Sequence, residues 1–224
     1  MLNSTVLLLI IATQSSEPQA ALERVRDRYR GFSSFSMTIE HKDSSGLFPG
    51  QYKQKLVWSK GGKFELTTTS SAGAGKNSNA AGRKAPNYYA DGKSVVSVHP
   101  DGKRSSSGLV PDQNTSPSWE VSGGLILSWL QDTPAGKFIF NPPGDLKTSW
   151  AWGTEKSFRG LAAKEIVLTW GGTDHKASLY ISPDENQLLG MVMERPGQKG
   201  WAVYKDQQSN PSVPKGLGIP PAGR

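Results

Sequence analysis

The chain has 224 residues, enough for one ordinary domain with a sizeable core. Its 25 Gly, 15 Pro, 35% hydrophobic and 20% charged residues suit a loop-rich β protein and argue against a helical bundle. Cysteine is absent, which excludes a disulfide, a thiolate metal site, a cysteine nucleophile and a lipid-bearing lipobox cysteine. The net charge of +7 is spread over single lysines and arginines such as Lys53, Lys55, Lys60 and Lys63. No basic block with interleaved aromatics occurs, so the charge reads as a solvated face and not as a nucleic-acid footprint.

In chain order, Val6-Leu7-Leu8-Leu9-Ile10-Ile11-Ala12 is an apolar run followed by Thr13-Gln14-Ser15-Ser16. It is too short to span a bilayer as a helix and fits a signal-peptide core over residues 1–20, with Ala20 as the cleavage residue. No Lys or Arg precedes it, and a buried N-terminal strand or helix is the alternative. Ser16 with Gln19 resembles a capping box opening a helix. Leu22, Val25, Tyr29 and Phe32 fall on one face, charged residues cover the other, and Gly31 marks the stop.

Phe35, Met37, Ile39 and His41 alternate with Ser36, Thr38, Glu40 and Lys42, which predicts a half-buried strand. After a turn over residues 46–50, residues 51–59 predict a second strand with Tyr52, Gln54, Leu56 and Trp58 on one side. Gly61-Gly62 turns the chain into a third over residues 64–69. Residues 70–86 have no apolar anchor and read as a mobile loop. Its Gly75-Lys76 does not make a phosphate loop, because the leading glycine falls at Ser70 and no Ser or Thr follows Lys76.

Asp91-Gly92 and Asp101-Gly102 bracket Val95, Val96 and Val98 and predict two hairpin turns of type I′. Ser116 and Pro117 open a second helix carrying Trp119, Leu125, Ile126, Trp129 and Leu130. Gly123-Gly124 weakens it by about 1 kcal/mol each relative to Ala. Residues 133–143, with Phe138 and Phe140, read as loop or short strands. Strands return with Trp150 and Trp152, then residues 163–170, 175–182, 188–194 and 201–206. Turns over residues 183–186 and 196–200 separate the last three. A proline-rich tail follows Asn210. The fold class is α+β, with helices gathered on one face of an antiparallel sheet.

Chemistry is sparse. His41, His99 and His175 each stand alone, without neighbours at metal-ligand spacing. No Gly-x-Ser-x-Gly occurs. Asp91, Asp101, Asp184 and Glu185 sit in turns, where hairpin geometry explains them. A glycosidase pair is a matter of three-dimensional separation and stays open. The seven tryptophans are the remaining signal. They either fill a core or, with a sheet curled around two apolar helices, line a pocket for acyl chains, with Met191 and Met193 as adaptable contacts.

The order of elements resembles the LolA-like superfamily of outer-membrane lipoprotein carriers. The matching pieces are the first helix running into a strand over residues 21–43, and Tyr89-Ala90-Asp91-Gly92-Lys93 with its valine strand and Pro100-Asp101-Gly102. They continue with the apolar helix over residues 125–130 and Leu179-Tyr180-Ile181-Ser182-Pro183-Asp184. The last are Asn210-Pro211-Ser212-Val213-Pro214 and Ile219-Pro220-Pro221-Ala222-Gly223. The resemblance spans most of residues 21–224. It implies a curved antiparallel sheet forming an unclosed β-barrel, with helices as a lid over an apolar cavity. It also implies a periplasmic or secreted monomer that binds lipoprotein acyl chains or other lipids, with no catalysis and no cofactor. Carriers have a latching arginine where Lys63-Phe64-Glu65 stands here, and residues 70–86 are an insertion. On this reading the cavity is lined by Trp58, Phe64, Trp119, Leu125, Trp129, Ile166, Trp170 and Met191, and Lys53 or Lys63 on the rim meets anionic headgroups. The alternatives are an envelope-stress regulator binding a protein partner on the same fold, and a secreted hydrolase.

Overall fold

A computed structural model describes residues 17–43, 50–72, 86–108, 124–132, 139–140 and 147–221. The elements run α1 (Pro18–Arg30), β1 (Ser34–Asp43), β2 (Gly50–Ser59), β3 (Lys63–Ala72), β4 (Asn87–Asp91), β5 (Ser94–Val98), β6 (Arg104–Gly108) and α2 (Gly124–Leu130). There follow β7 (Thr148–Trp152), β8 (Ser157–Phe158), β9 (Leu161–Ala162), β10 (Lys164–Trp170), β11 (Lys176–Ile181), β12 (Leu188–Arg195) and β13 (Gln198–Ser209).

Eleven strands form one antiparallel sheet in the order β6-β5-β4-β3-β2-β1-β13-β12-β11-β10-β7. Each half is a meander. The seam between them is the pairing of β1 with β13, which sets Ile39 opposite Tyr204 and His41 opposite Ala202. The sheet is curved and does not close into a barrel, since β6 and β7 are its two edges. Side chains on a strand alternate between faces, so one face collects Phe35, Met37 and Ile39 with Leu56, Trp58, Phe64 and Leu66. Across the seam it continues through Tyr204, Met191, Leu179, Ile166 and Leu168. This inner face, α1 and α2 make a single buried apolar cluster, with the two helices as its lid.

Helix α1 opens with Pro18 in its first turn and Glu17 at the N-cap, without a side-chain cap. The N-cap is Glu17, Gln19 Nε2 donates to Glu23 at 3.1 Å, and Ser16 of the predicted capping box lies outside the described residues. Gly31 ends the helix in a right-handed conformation. Its buried stripe is Ala21, Leu22, Val25 and Tyr29, as the spacing predicts.

The two Asp-Gly hairpins are present, but neither is type I′, because only the glycines take positive φ. Asp91 keeps its carboxylate folded back to accept the Ser94 and Lys93 amides, both at 2.8 Å. Those bonds hold the Asp91 carboxyl below its usual range. At the second hairpin the Gly102 amide donates to His99 O at 2.9 Å, and His99 N donates to Lys103 O. That is a three-residue loop ending in a left-handed glycine. The predicted five-residue turn at residues 196–200 is the two-residue turn Pro196-Gly197, because Gln198 already pairs with Arg195.

The hairpin β8–β9 has no counterpart in the sequence reading. It lies on the outer face, where Phe158 stacks on Tyr180 with ring centroids 4.1 Å apart. Phe158, Ala163, Tyr180, Leu189 and Val203 form a second small core there, and the Arg159 guanidinium sits 4.0 Å above the Trp201 ring. Trp201 therefore faces away from the interior. No helix among the described residues is long and apolar enough to cross a membrane.

Candidate ligand-binding interior and its mouth

The interior is built around α2, whose seven residues Gly-Leu-Ile-Leu-Ser-Trp-Leu are all buried. A helix that is apolar all round must be enclosed. Trp129 meets the Tyr29 ring of α1 at 5.9 Å, and Tyr29 is edge-on to Phe35 of β1 at 5.3 Å. Ser128, the helix's one polar side chain, returns its hydroxyl to Leu125 O at 2.7 Å and asks nothing of its neighbours.

The two helices are held very differently. Tyr29 donates its hydroxyl to Gln207 Oε1 and accepts the Leu188 amide at 3.2 Å. Gln207 Nε2 then donates to Leu188 O at 2.8 Å, which closes a buried network between α1, β12 and β13. Burial pushes the Tyr29 phenol well above its ordinary value, so it stays neutral. Glu185, in the turn between β11 and β12, adds a second tie through Arg24 of α1 and through Lys164 at 2.9 Å. Burial works to raise the Glu185 carboxyl; the hydrogen bonds from Arg24 and Lys164 outweigh it and hold it below the ordinary range. Just past the end of α2, Asp132 pairs at the surface with Arg30 of α1 at 2.8 Å. Asp132 takes a left-handed conformation, φ 52°, to reach it.

Of the eight residues expected to line a cavity, Trp58, Phe64, Leu125, Trp129, Ile166, Trp170 and Met191 lie together in the buried cluster, each 7% exposed or less. Trp119 lies outside the described residues. The interior is not uniformly apolar. The indole nitrogens of Trp58 and Trp170 and the hydroxyl of Tyr204 are buried and meet no partner among the described residues. Unmet buried donors are costly, on the order of 1–3 kcal/mol each. His41, by contrast, is a core histidine: its Nε2 faces Gln54 Oε1 at 3.1 Å, and its ring stacks on Tyr52. No group of three or more His, Asp or Glu among the described residues is placed to hold a metal ion.

A cleft of about 650 Å³ opens between the C-terminal ends of α1 and α2 and the β2–β3 turn, walled by Asp27, Arg30, Trp58, Lys60, Leu130, Gln131 and Asp132. Gly61 and Gly62 make that turn with φ of 94° and 79°. Gly92 packs against it so closely that a Cβ would stand 2.5 Å from Gly61 O. The rim lysines named from the sequence are not here: Lys53 pairs with Glu40 at 3.7 Å on the outer face, and Lys63 does not line the cleft. Lys60, beside the Gly-Gly turn, takes that place. The turn was legible, but the direction of its flanking lysine was not.

No family model matches the chain, and no curated protein matches it. Solved structures do. LprF from Mycobacterium bovis superposes with a TM-score of 0.51 at 13% identity, covering 90% of this chain and 97% of that one. The two share a fold. A LolA superfamily protein from Nitrosomonas europaea aligns over 92% of this chain and 99% of its own, at 11% identity and a TM-score of 0.42. MucB in the MucA/MucB complex of Pseudomonas aeruginosa aligns over 88% of this chain, at 11% identity and a TM-score of 0.49. The chain spans 59% of that chain's length. The unclosed curved sheet and helical lid of this chain agree with the fold class expected from the sequence.

Proposed function

We propose that this chain is an exported binding or carrier protein for acyl chains, borne by lipoproteins or by free lipid, and that it carries out no catalysis. The observation that carries the reading is the asymmetry of the lid. An α2 that is apolar but for Ser128 covers an apolar sheet face by packing and meets α1 in a surface ion pair just past its end, while α1 is hydrogen-bonded into the sheet. Packing against α2 is chemically interchangeable with packing against an acyl chain: both remove the same apolar surface from water, at about 25 cal/mol per Å². The unmet donors of Trp58, Trp170 and Tyr204 support a polar-headed ligand over a plain hydrocarbon. The apolar run at residues 6–12 supports export, to the periplasm or beyond the cell.

The test is uptake by the full chain. The protein is purified without detergent, its solvent extract is examined by mass spectrometry, and the delipidated protein is titrated with a dansylated undecanoic acid. Saturable uptake with a blue-shifted emission, competed by lipid, is the expected result. No amphiphile in the extract and no uptake by the delipidated chain would overturn the proposal. Retention of a non-acylated protein by such an empty chain would favour the regulator.

A further inference from the structure

We infer that the cleft at the end of the lid is a headgroup site, and that the group it takes is a monoanionic phosphodiester on an amphiphile. The inference rests on the acyl-binding reading above and adds to it the charge and chemistry of the ligand's head.

Three donors sit on residues of the cleft wall without acceptors among the described residues. The Lys60 ammonium has no ion pair or hydrogen bond, and the Gln131 side-chain amide and the Trp58 indole N–H are buried with no partner. The carboxylates are already committed. Asp27 accepts from Arg26 at 2.9 Å and from Arg30 at 3.4 Å, and Asp132 accepts from Arg30 at 2.8 Å. Arg30 and Arg26 hold those two carboxylates, so Lys60 is the cation of the cleft wall that meets neither. A site with one surplus cation and several neutral donors matches a group with one negative charge and several acceptor oxygens.

The cleft also leads somewhere. Trp58 and Leu130 wall it and belong to the buried apolar cluster as well. A phosphodiester at Lys60 therefore places an attached chain at the end of α2, beside the residues it would displace. A free phosphodiester gains the first contact only; an amphiphile gains both.

Calorimetric titration of the delipidated full chain, below micelle concentrations, separates the cases with three probes. They are lysophosphatidylglycerol with a dodecanoyl chain, dodecyl maltoside as an uncharged amphiphile, and glycerophosphoglycerol as the head without a chain. The anionic lipid is expected to bind about tenfold more tightly than the maltoside, the size of one charge-assisted contact. Lys60→Ala should erase that difference and leave maltoside affinity unchanged. The variant keeps the backbone bond from Lys60 N to Ser33 O, so the turn survives. Trp58→Phe should weaken the anionic lipid selectively. Equal binding of the two amphiphiles, no effect of Lys60→Ala, or chainless binding as tight as the lipid's would overturn the headgroup site while acyl binding stood. No binding of either amphiphile would overturn both.

Discussion

Replacing Tyr29 by Phe removes one oxygen from the junction of α1 with the sheet and leaves the ring contacts with Phe35 and Trp129 in place. Two bonds go with it, the one donated to Gln207 and the one accepted from the Leu188 amide. The site is buried, so the Leu188 N–H has no water to turn to; Gln207 is only half-buried and recovers part of its loss. An unmet buried amide costs on the order of 1–3 kcal/mol and a net hydrogen bond about 1 kcal/mol, so about 2–3 kcal/mol is expected. For a chain of this size that lowers the thermal midpoint by about 4–12 °C. Urea unfolding followed by tryptophan fluorescence gives the free energy, with the slope unchanged. Gln207→Leu in the same background should be strongly non-additive with Tyr29→Phe, because both break one network. A loss below about 0.5 kcal/mol, or simple additivity, would refute the claim that this network fixes α1.

Gly190→Ala is expected to lift the outer hairpin, since a Cβ there would stand 2.2 Å from the Phe158 ring and 2.4 Å from Ala202 O. A loss of about 1–3 kcal/mol in urea unfolding, with a change in Trp201 emission, is the check. Asp132→Asn keeps a residue tolerant of left-handed backbone and removes the charge that meets Arg30. It should speed hydrogen exchange in α2 and the on-rate of a fluorescent fatty acid while leaving α1 protected. Glu185 is held below its ordinary 4.5 in the folded chain, so its contribution is present above that pH and drains away as pH falls through the folded value. Lys164→Met should therefore flatten the acid limb of a stability–pH curve below about 4.5, and an unchanged limb would contradict the assignment.

Much of the sheet is readable because its strands are wet on one side. Tyr52, Gln54, Leu56 and Trp58 are buried alternately with exposed Gln51, Lys53 and Lys55, and that pattern sets both the strand and its inner face. The first helix is legible for the same reason. Where both faces are covered the signal fails. In β13 Trp201 and Val203 point outward beneath the short hairpin, while Ala202 and Tyr204 point inward. The sequence there reads as one apolar run, and its largest residue is the misleading one. The hairpin itself offers two-residue strands, too short for any period to show. At Asp91 the turn departs from type I′ because the carboxylate caps two amides with the residue at negative φ. The pairing of β1 with β13 joins residues more than 150 positions apart, and no local pattern encodes it. Nothing local sets Lys60 apart from the other dispersed lysines, because its place depends on Gln131 and Trp58, which only the fold brings to the same cleft.

That seam has a consequence for how the chain comes into being. The strand that completes the centre of the sheet is the last to be synthesised, so β1 waits with an open hydrogen-bonding edge while the six-strand N-terminal meander is already available. An unsatisfied edge next to an apolar face is a template for pairing with other chains. Closing it demands a long-range encounter, which is slow for reasons of loop entropy alone. The molecule's period of greatest danger is thus before its own C-terminal strand arrives. A holdase that shields β1 in that interval would do more for its yield than any gain in final stability.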